Sequence, residues 1–577
     1  MAKTRNKRAG TATSSGRDFG KMELNILLIL LCAGLMAVLS KTFYLQVINS
    51  SHLRDVARKQ REASVDVVPK RGTILDRDGE VLAISEDAVT VYATPYLVAN
   101  PKKAAESISR ILGADTDEIE EKLSADSGFV YIARKIDRVT GKKIERLRIS
   151  GIGTIEESRR FYPMGKVGSQ LIGLVDIDNK GQSGIELYYQ DILGGRPGKI
   201  FFEKDAAGSP IPGTEKEKVS PVDGSDIQLT IDRDIQAKLE ESIAKAVARY
   251  NAKSASSLVM DCTNGEIIAM GSFPTFDPNK RDNLRPEWTR NRCVTDIFEP
   301  GSVLKILTAA AALEEKIVEP QTPLFVPSKL AVADKFFTDA QVKPSRQLSF
   351  ADVIAQSSNV GTIRVALQLG KDKLFEYIKK FGLGCRTGID YPGEVEGIVL
   401  DKYKWSGTSV ATISIGQGIS ITALQLACLG GAVANGGRSI YPHLLKAKIS
   451  DNKMVDAGLG GLGDQIISEE ASRKLIDIMV GVTSAKGTGQ KAAVKYYSTA
   501  GKTGTAAKPL PGGKGYSGYV STFVGFAPAE KPKLVCAVFL DEPVPIWGGE
   551  TAAPVFREIM EYSLQHLRIA PSWNAGR

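Results

Sequence analysis

Residues 24–45 read LNILLILLCAGLMAVLSKTFYL, with Lys41 as the single charge. A helix of about 22 residues reaches ~33 Å, enough to cross a hydrocarbon core of ~30 Å. Lys41 lies near the far end, where its long side chain can snorkel to the headgroups. Such a stretch forces the chain to fold on two sides of a bilayer. Before it, Lys3, Arg5, Lys7, Arg8, Arg17 and Lys21 stand against Asp18 and Glu23. That basic arm predicts a cytoplasmic N-terminus, with everything beyond the span outside the plasma membrane. A cleaved signal peptide is the alternative, but no clear small-x-small site precedes a polar start, and Phe43, Tyr44 and Leu45 prolong the run. An uncleaved single-pass anchor over 23–45 is expected, behind a basic tail over 1–22 whose first 20 residues lack fixed structure.

The arm supplies +4 of the formal net charge of +9, leaving +5 over the rest of the 577 residues. So thin a basic excess gives no reason to expect a nucleic-acid partner. With 43% apolar residues the chain is not disordered throughout. Histidine is scarce: His52, His443 and His566 are all there are. No His-Glu-x-x-His or Gly-x-Ser-x-Gly motif occurs, so a serine nucleophile here needs a base other than histidine, and no metal site is expected. The six cysteines contain no Cys-x-x-Cys pair and read mostly as small buried hydrophobes.

Beyond the anchor, residues 50–63 read as a polar helix. Residues 71–83 read as two strands joined by the Asp76-Arg77-Asp78-Gly79 turn. A helix over 101–124 and a strand, basic helix and strand over 129–160 complete an elongated α+β module spanning 46–222. Its last part, 206–224, is a Pro/Gly/Lys-rich linker. From Ile227 the pattern changes. A strand and an amphipathic helix (Ile235, Leu239, Ile243 and Val247 four apart) precede a hairpin centred on Asn264-Gly265. Helices are expected over 302–315, 350–369, 372–381 and 422–435. Strands over 498–504, 519–527 and 534–540 and a closing helix over 553–566 follow. This is a mixed α/β domain over 223–570.

Ser302-Val303-Leu304-Lys305 follows Pro300-Gly301, which places Ser302 at or near a helix N-terminus and Lys305 one turn on, over the same face. A serine hydroxyl needs a base to become a nucleophile, and a lysine serves if burial or a neighbouring cation holds it neutral. The helix N-terminus favours charge developing on a substrate oxygen. Alone the pattern is weak, since a capping serine beside a solvated lysine looks the same. Ser450-Asp451-Asn452-Lys453 matches it too, in a polar turn, and Ser572-Trp573-Asn574 is a chance Ser-x-Asn. Ser302 stands out because Ser357-Ser358-Asn359 follows 55 residues later and Lys502-Thr503-Gly504-Thr505 another 145 on, at the end of a strand.

Ser-x-x-Lys, Ser-x-Asn and Lys-Thr-Gly in this order resemble the penicillin-recognising serine acyltransferases. The chain is similar to a class B penicillin-binding protein from the anchor to about residue 562. The fold implied is α/β, a serine β-lactamase-like transpeptidase domain with a mixed sheet and a helical block. Residues 71–83, Arg159-Arg160-Phe161-Tyr162-Pro163 and 181–186 look like that family's N-terminal motifs, a pedestal or dimerisation-type module. Arg290-Asn291-Arg292 and 295–302 look like its septal, cell-division branch, and Gly416-Gln417-Gly418 and 434–437 match as well. Ser358 stands where β-lactamases usually carry Asp.

The resemblance implies a role for each residue. Ser302 attacks the penultimate D-Ala carbonyl of a stem peptide, Lys305 accepts its proton, and Ser357 relays a proton to the leaving amine. Asn359 binds substrate and holds Lys305, and Lys502 places positive charge beside Ser357. Thr503 and Thr505 bind the substrate carboxylate with Gly504 between them, and the N–H groups of Ser302 and Thr505 form the oxyanion hole. A second stem peptide's amine takes the acyl group. β-lactams mimic the donor, no cofactor is needed, and a membrane glycan polymerase and division-complex proteins are the implied partners.

Other readings compete. A β-lactamase would need a glutamate placed for deacylation, and neither an anchor nor the extra N-terminal residues. A D,D-carboxypeptidase or an elongation-type transpeptidase shares the chemistry. A bifunctional synthase needs a glycosyltransferase domain, for which 46–222 is too short. An inactive division scaffold would not need Ser302, Lys305, Ser357, Asn359 and Lys502 intact.

Overall fold

A computed structural model describes residues 16–203, 217–282, 284–450, 453–510 and 515–572. Most of the basic arm, much of the expected linker, Asn452 and the Trp573-Asn574 pair lie outside the described residues.

The chain divides into two compact units, residues 1–68 with 197–222 and residues 69–196 with 223–577. In the first, the helix Gly16–Phe43 runs into one π-helical turn, Tyr44–Ile48. Its stretch Met22–Ile48 has a mean hydropathy of 2.3 and is long and apolar enough to cross a membrane. Helix begins at Gly16, inside the region expected to lack structure. The polar helix Ser50–Arg61 follows, then a small antiparallel sheet of Glu62–Val67, Gly198–Glu203 and Glu217–Val219. The last strand falls within the expected linker.

The second unit is organised by two sheets. A seven-stranded sheet runs from the N-terminal module into the C-terminal domain, because Asp226–Leu229 pairs with Ile74–Leu75 on one side and Leu445–Ser450 on the other. The expected single helix over 101–124 is two, Pro101–Leu112 and Thr116–Leu123. Gly113 ends the first at φ +66° and the Asp115 side chain caps the second.

Motifs far apart in the N-terminal module meet inside it. Glu186 accepts from Arg71 Nε at 2.5 Å and from Arg160 Nε at 2.6 Å, with all three side chains at most 1% exposed. Arg71 also donates to the carbonyls of Asn179 and Glu186. Burial pushes the Glu186 carboxyl up, but the Arg160 and Arg71 charges outweigh it and hold it below the usual range. The 71–83 motif is thus a structural tie.

The five-stranded sheet of the C-terminal domain has the order Ile267–Phe273, Ser254–Asp261, Leu534–Asp541, Tyr516–Ala527, Ala500–Pro509, all antiparallel. Helices Arg233–Tyr250 and Ala552–His566 cover one face through Ile235, Leu239, Ile243, Phe556 and Ile559. The helical block covers the other with Leu304, Leu307, Leu424 and Val433. Covered twice, the strand Ser254–Asp261 buries every residue but its last, which is why its sequence lacks polar alternation. The expected helix over 350–369 is broken at 356–358 into Phe350–Ala355 and Asn359–Lys380, and the latter absorbs 372–381 across a kink at Gly370. The Lys-Thr-Gly motif opens its strand rather than ending it, since Ala500–Pro509 runs on past Thr505.

Candidate active site

The break at 356–358 builds the site. Ser357 sits at φ +58°, a left-handed conformation that costs a non-glycine residue on the order of 1 kcal/mol. Ser358 then caps the next helix, its Oγ accepting from Gly361 N at 3.1 Å. Asn359 is the first residue of that helix, so its side chain is held at a rigid end.

Ser302 lies in a 3-10 turn, Gly301–Leu304, that leads into the helix Lys305–Glu314. In a 3-10 turn residues three apart eclipse, so Lys305 stacks over Ser302. Lys305 is fully buried. Its Nζ lies 2.7 Å from Ser357 O, 3.2 Å from Ser357 Oγ and 2.7 Å from Asn359 Oδ1. Lys502, also fully buried, donates to Ser357 Oγ at 2.9 Å and to Thr503 O at 3.1 Å. Ser357 Oγ thus bridges the two lysines.

Both amines are pushed down. Burial, and then the Lys502 charge, drive Lys305 well below the usual lysine range, while Asp339 opposes. Burial alone brings Lys502 to about 7. Lys305 carries like-charge repulsion on top of desolvation, Lys502 desolvation alone. A neutral Lys305 has a lone pair for a serine proton, and a protonated Lys502 beside it supplies a positive field.

A cleft of about 490 Å³ is lined by Ser302, Ser357, Asn359, Thr503, Gly504 and Thr505, with Asp339, Thr488 and Gly548 among its other walls. Gly548 N donates to Thr505 Oγ1 at 3.1 Å, which leaves the Thr505 hydroxyl hydrogen for an acceptor. Thr503 Oγ1 pairs with Thr488 Oγ1 at 2.7 Å. Gly504 acts through absence of bulk, since a Cβ there would meet Thr522 Oγ1 at 2.0 Å and Val303 Cγ2 at 2.5 Å. Gly416 holds the turn from behind. Its carbonyl accepts from Gly301 N at 3.0 Å, and a Cβ on it would lie 2.0 Å from Gly301 O.

Six of the eight residues expected from sequence line the cleft, and the other two, Lys305 and Lys502, are buried behind Ser357 and reach its Oγ. Ser450 ends its strand instead with Oγ 2.8 Å from Ser225 Oγ, and no histidine lines the cleft among the described residues. Sequence reasoning missed Asp339. Its Oδ1 accepts from Ser358 Oγ at 2.8 Å and Val360 N at 3.1 Å, so it clamps the second motif. No local pattern marks it, because it sits in a loop 18 residues upstream of Ser357.

Comparison with known proteins follows the same lines. The family model "Penicillin binding protein transpeptidase domain" matches residues 255–561, and "Penicillin-binding Protein dimerisation domain" matches 66–229. The chain is 35% identical over 540 residues to stage V sporulation protein D of Bacillus subtilis, covering 92% of this chain and 83% of that protein. It is 31% identical over 547 residues to the peptidoglycan D,D-transpeptidase FtsI of Escherichia coli, covering 92% and 90%. The crystal structure of penicillin-binding protein 3 of Mycobacterium tuberculosis complexed with aztreonam is similar at a TM-score of 0.70 and 27% identity, covering 88% of this chain and 98% of that one.

Proposed function

The chain belongs to the class B penicillin-binding proteins, and from that premise we propose that it is a peptidoglycan D,D-transpeptidase acting through a Ser302 acyl-enzyme in septal wall synthesis. The observation that carries this reading is the bridge Lys305–Ser357–Lys502 beside Ser302 in one cleft.

The geometry supports the following course. The base is the neutral Lys305 amine, which burial and the Lys502 charge favour and which Ser357 O, Ser357 Oγ and Asn359 Oδ1 hold in place. It takes the Ser302 hydroxyl proton as Oγ attacks the carbonyl carbon of the penultimate D-Ala. The N–H groups of Ser302 and Thr505 stabilise the oxyanion. The amide C–N bond then breaks, and the proton passes from Lys305 through Ser357 Oγ to the departing D-Ala nitrogen. Lys502 supplies the charge that polarises Ser357, and the Thr503 and Thr505 hydroxyls hold the terminal carboxylate. In the second half a stem-peptide amine attacks the ester, loses its proton along the same path, and Ser302 leaves as its hydroxyl. A β-lactam enters the first half and remains as an ester.

Anchoring by one helix keeps the enzyme at the membrane, with the N-terminus cytoplasmic and residues 60–560 outside. Residues 46–222 then serve as spacer and docking module for a membrane glycan polymerase and division proteins, and 223–570 as the transpeptidase domain. Labelling with a fluorescent penicillin and peptide mapping tests the chemistry: the label belongs on Ser302, and a label on any other serine overturns the assignment. A membrane-impermeant thiol probe tests topology, reaching cysteines placed at 60–560 but none placed at 1–20.

A further inference from the structure

The two helices that cover one face of the five-stranded sheet meet, end to end, at three metal-ligating side chains. Asp232 caps the helix Arg233–Tyr250, Asp234 lies in its first turn, and His566 is the last residue of the helix Ala552–His566. One ligand atom from each lies within 4.8 Å of the other two. Asp232 is 2% exposed. Its Oδ1 is spent on the cap, accepting from Asp234 N and Ile235 N at 3.0 Å each. Its Oδ2 lies 3.1 Å from His566 Nε2, yet has no hydrogen-bond partner among the described residues. The two atoms are therefore close without the ring nitrogen aiming at the oxygen, as a hydrogen bond requires. A buried carboxylate oxygen left in that state is costly. Two donors that share one metal ion stand in this relation, because each aims at a third point and not at the other. The Tyr562 ring, one turn back, stacks on His566 with centroids 5.6 Å apart and planes 14° off parallel, which holds the imidazole plane.

The surrounding charge favours a cation. Asp76 and Glu80 join the two aspartates here, the first accepting from Arg233 N at 3.4 Å and the second from Arg233 Nη1 at 2.8 Å. Against these four carboxylates stands Arg233, whose guanidinium is engaged by Glu80 and comes only within 3.6 Å of Asp234 Oδ1. Lys238 is taken up by Glu558 at 2.5 Å. After burial, Asp234 and Asp232 are what push the Tyr562 hydroxyl up, the mark of a negative field. One imidazole and two carboxylates suit zinc, whose ligands at about 2.0–2.2 Å stand roughly 3.3 Å apart in a tetrahedron. We propose that Asp232 Oδ2, an Asp234 carboxylate oxygen and His566 Nε2 form a zinc site, with water completing the shell. The ion clips the start of one covering helix to the end of the other. None of the three residues lines the Ser302 cleft, and the site does not depend on the transpeptidase reading. No sequence motif announces it, because Asp232 and His566 stand 334 residues apart.

The probe is Zn²⁺ alone, titrated calorimetrically into the chelator-treated, full-length protein in detergent. Saturable binding is expected, with Zn²⁺ raising the unfolding temperature and EDTA reversing the rise. Asp234→Asn and His566→Ala should each weaken binding at least about tenfold, since even groups behind a zinc ligand are worth that much. Asp232→Asn keeps a capping side chain but loses the ligand charge, and should do the same. Mg²⁺ should not compete, because it prefers an all-oxygen shell. Penicillin labelling of each variant reports folding, and Asp234, exposed at the surface, carries the test if a variant at Asp232 or His566 does not fold. No saturable Zn²⁺ binding to the wild type, or binding that Asp234→Asn and His566→Ala both leave intact, overturns the inference. So does a destabilisation by His566→Ala that is equal in zinc and in EDTA, which would make its contact with Asp232 a plain ion pair.

Discussion

Lys305 Nζ lies 2.7 Å from the carbonyl oxygen of Ser357, and Ser357 can present that oxygen because its backbone is left-handed, at φ +58°. The strain sits where two helices part and turns both oxygens of one serine toward one lysine. That serine's Oγ meets the second lysine as well. A continuous helix through 350–369 would have spent the Ser357 carbonyl on its own ladder.

Lys305→Arg puts a permanent cation where the neutral amine works, and a guanidinium cannot give up a proton at working pH. Acylation by penicillin is expected to fall by about 10²–10⁴-fold, the usual contribution of a general base. Stopped-flow acylation measures it, and a near-wild-type rate would show that lysine is not the base.

The pH profile of acylation should be bell-shaped. The acid limb reports protonation of Lys305, whose usual value is depressed by burial and by Lys502. The alkaline limb reports loss of the Lys502 charge and should fall near its value of about 7. Both limbs belong to the coupled pair. Asp339 raises Lys305, so Asp339→Asn should move the acid limb to lower pH. A shift to higher pH would contradict this account of the base.

Glu186→Gln leaves two buried guanidiniums facing a neutral amide. Breaking a buried charge network by removing one partner costs about 3–5 kcal/mol. The held-down Glu186 carboxyl contributes stability above its unfolded value of 4.5 that is lost as pH falls through its lower folded value. Chemical denaturation at neutral pH should show the loss, and the gap between variant and wild type should narrow in acid. Unchanged stability would mean that the tie is energetically idle.

Ser302→Ala should fail to support division while still localising and binding partners. Deleting the anchor and residues 46–222 should leave penicillin binding by 223–577 partly intact yet abolish function in cells. Complementation with both variants decides between enzyme and scaffold, since full rescue by Ser302→Ala would mean that the acyl-enzyme is not what the cell needs.

Much of this protein is determined by the order of its residues alone. One apolar run long enough for a bilayer is a local property, and so are the helix periodicity of 233–250 and the Asn264-Gly265 hairpin. The three motifs name their chemistry because residue type and spacing suffice for recognition. What the chain order does not contain is any relation set by packing. Arg71, Arg160 and Glu186 fall in three separate motifs along the sequence, and nothing there pairs them; they become a buried tie only when sheet and loops bring them together. Asp339 carries no motif-level signal and acquires its role from Ser358, which faces it. The break at Ser357 is half legible: Ser357-Ser358-Asn359 is a weak helix-forming run whose residue types also suit an N-cap. The contacts of Asp339 with Ser358 and Val360, together with the demand of a buried lysine for acceptors, settle where the helix parts.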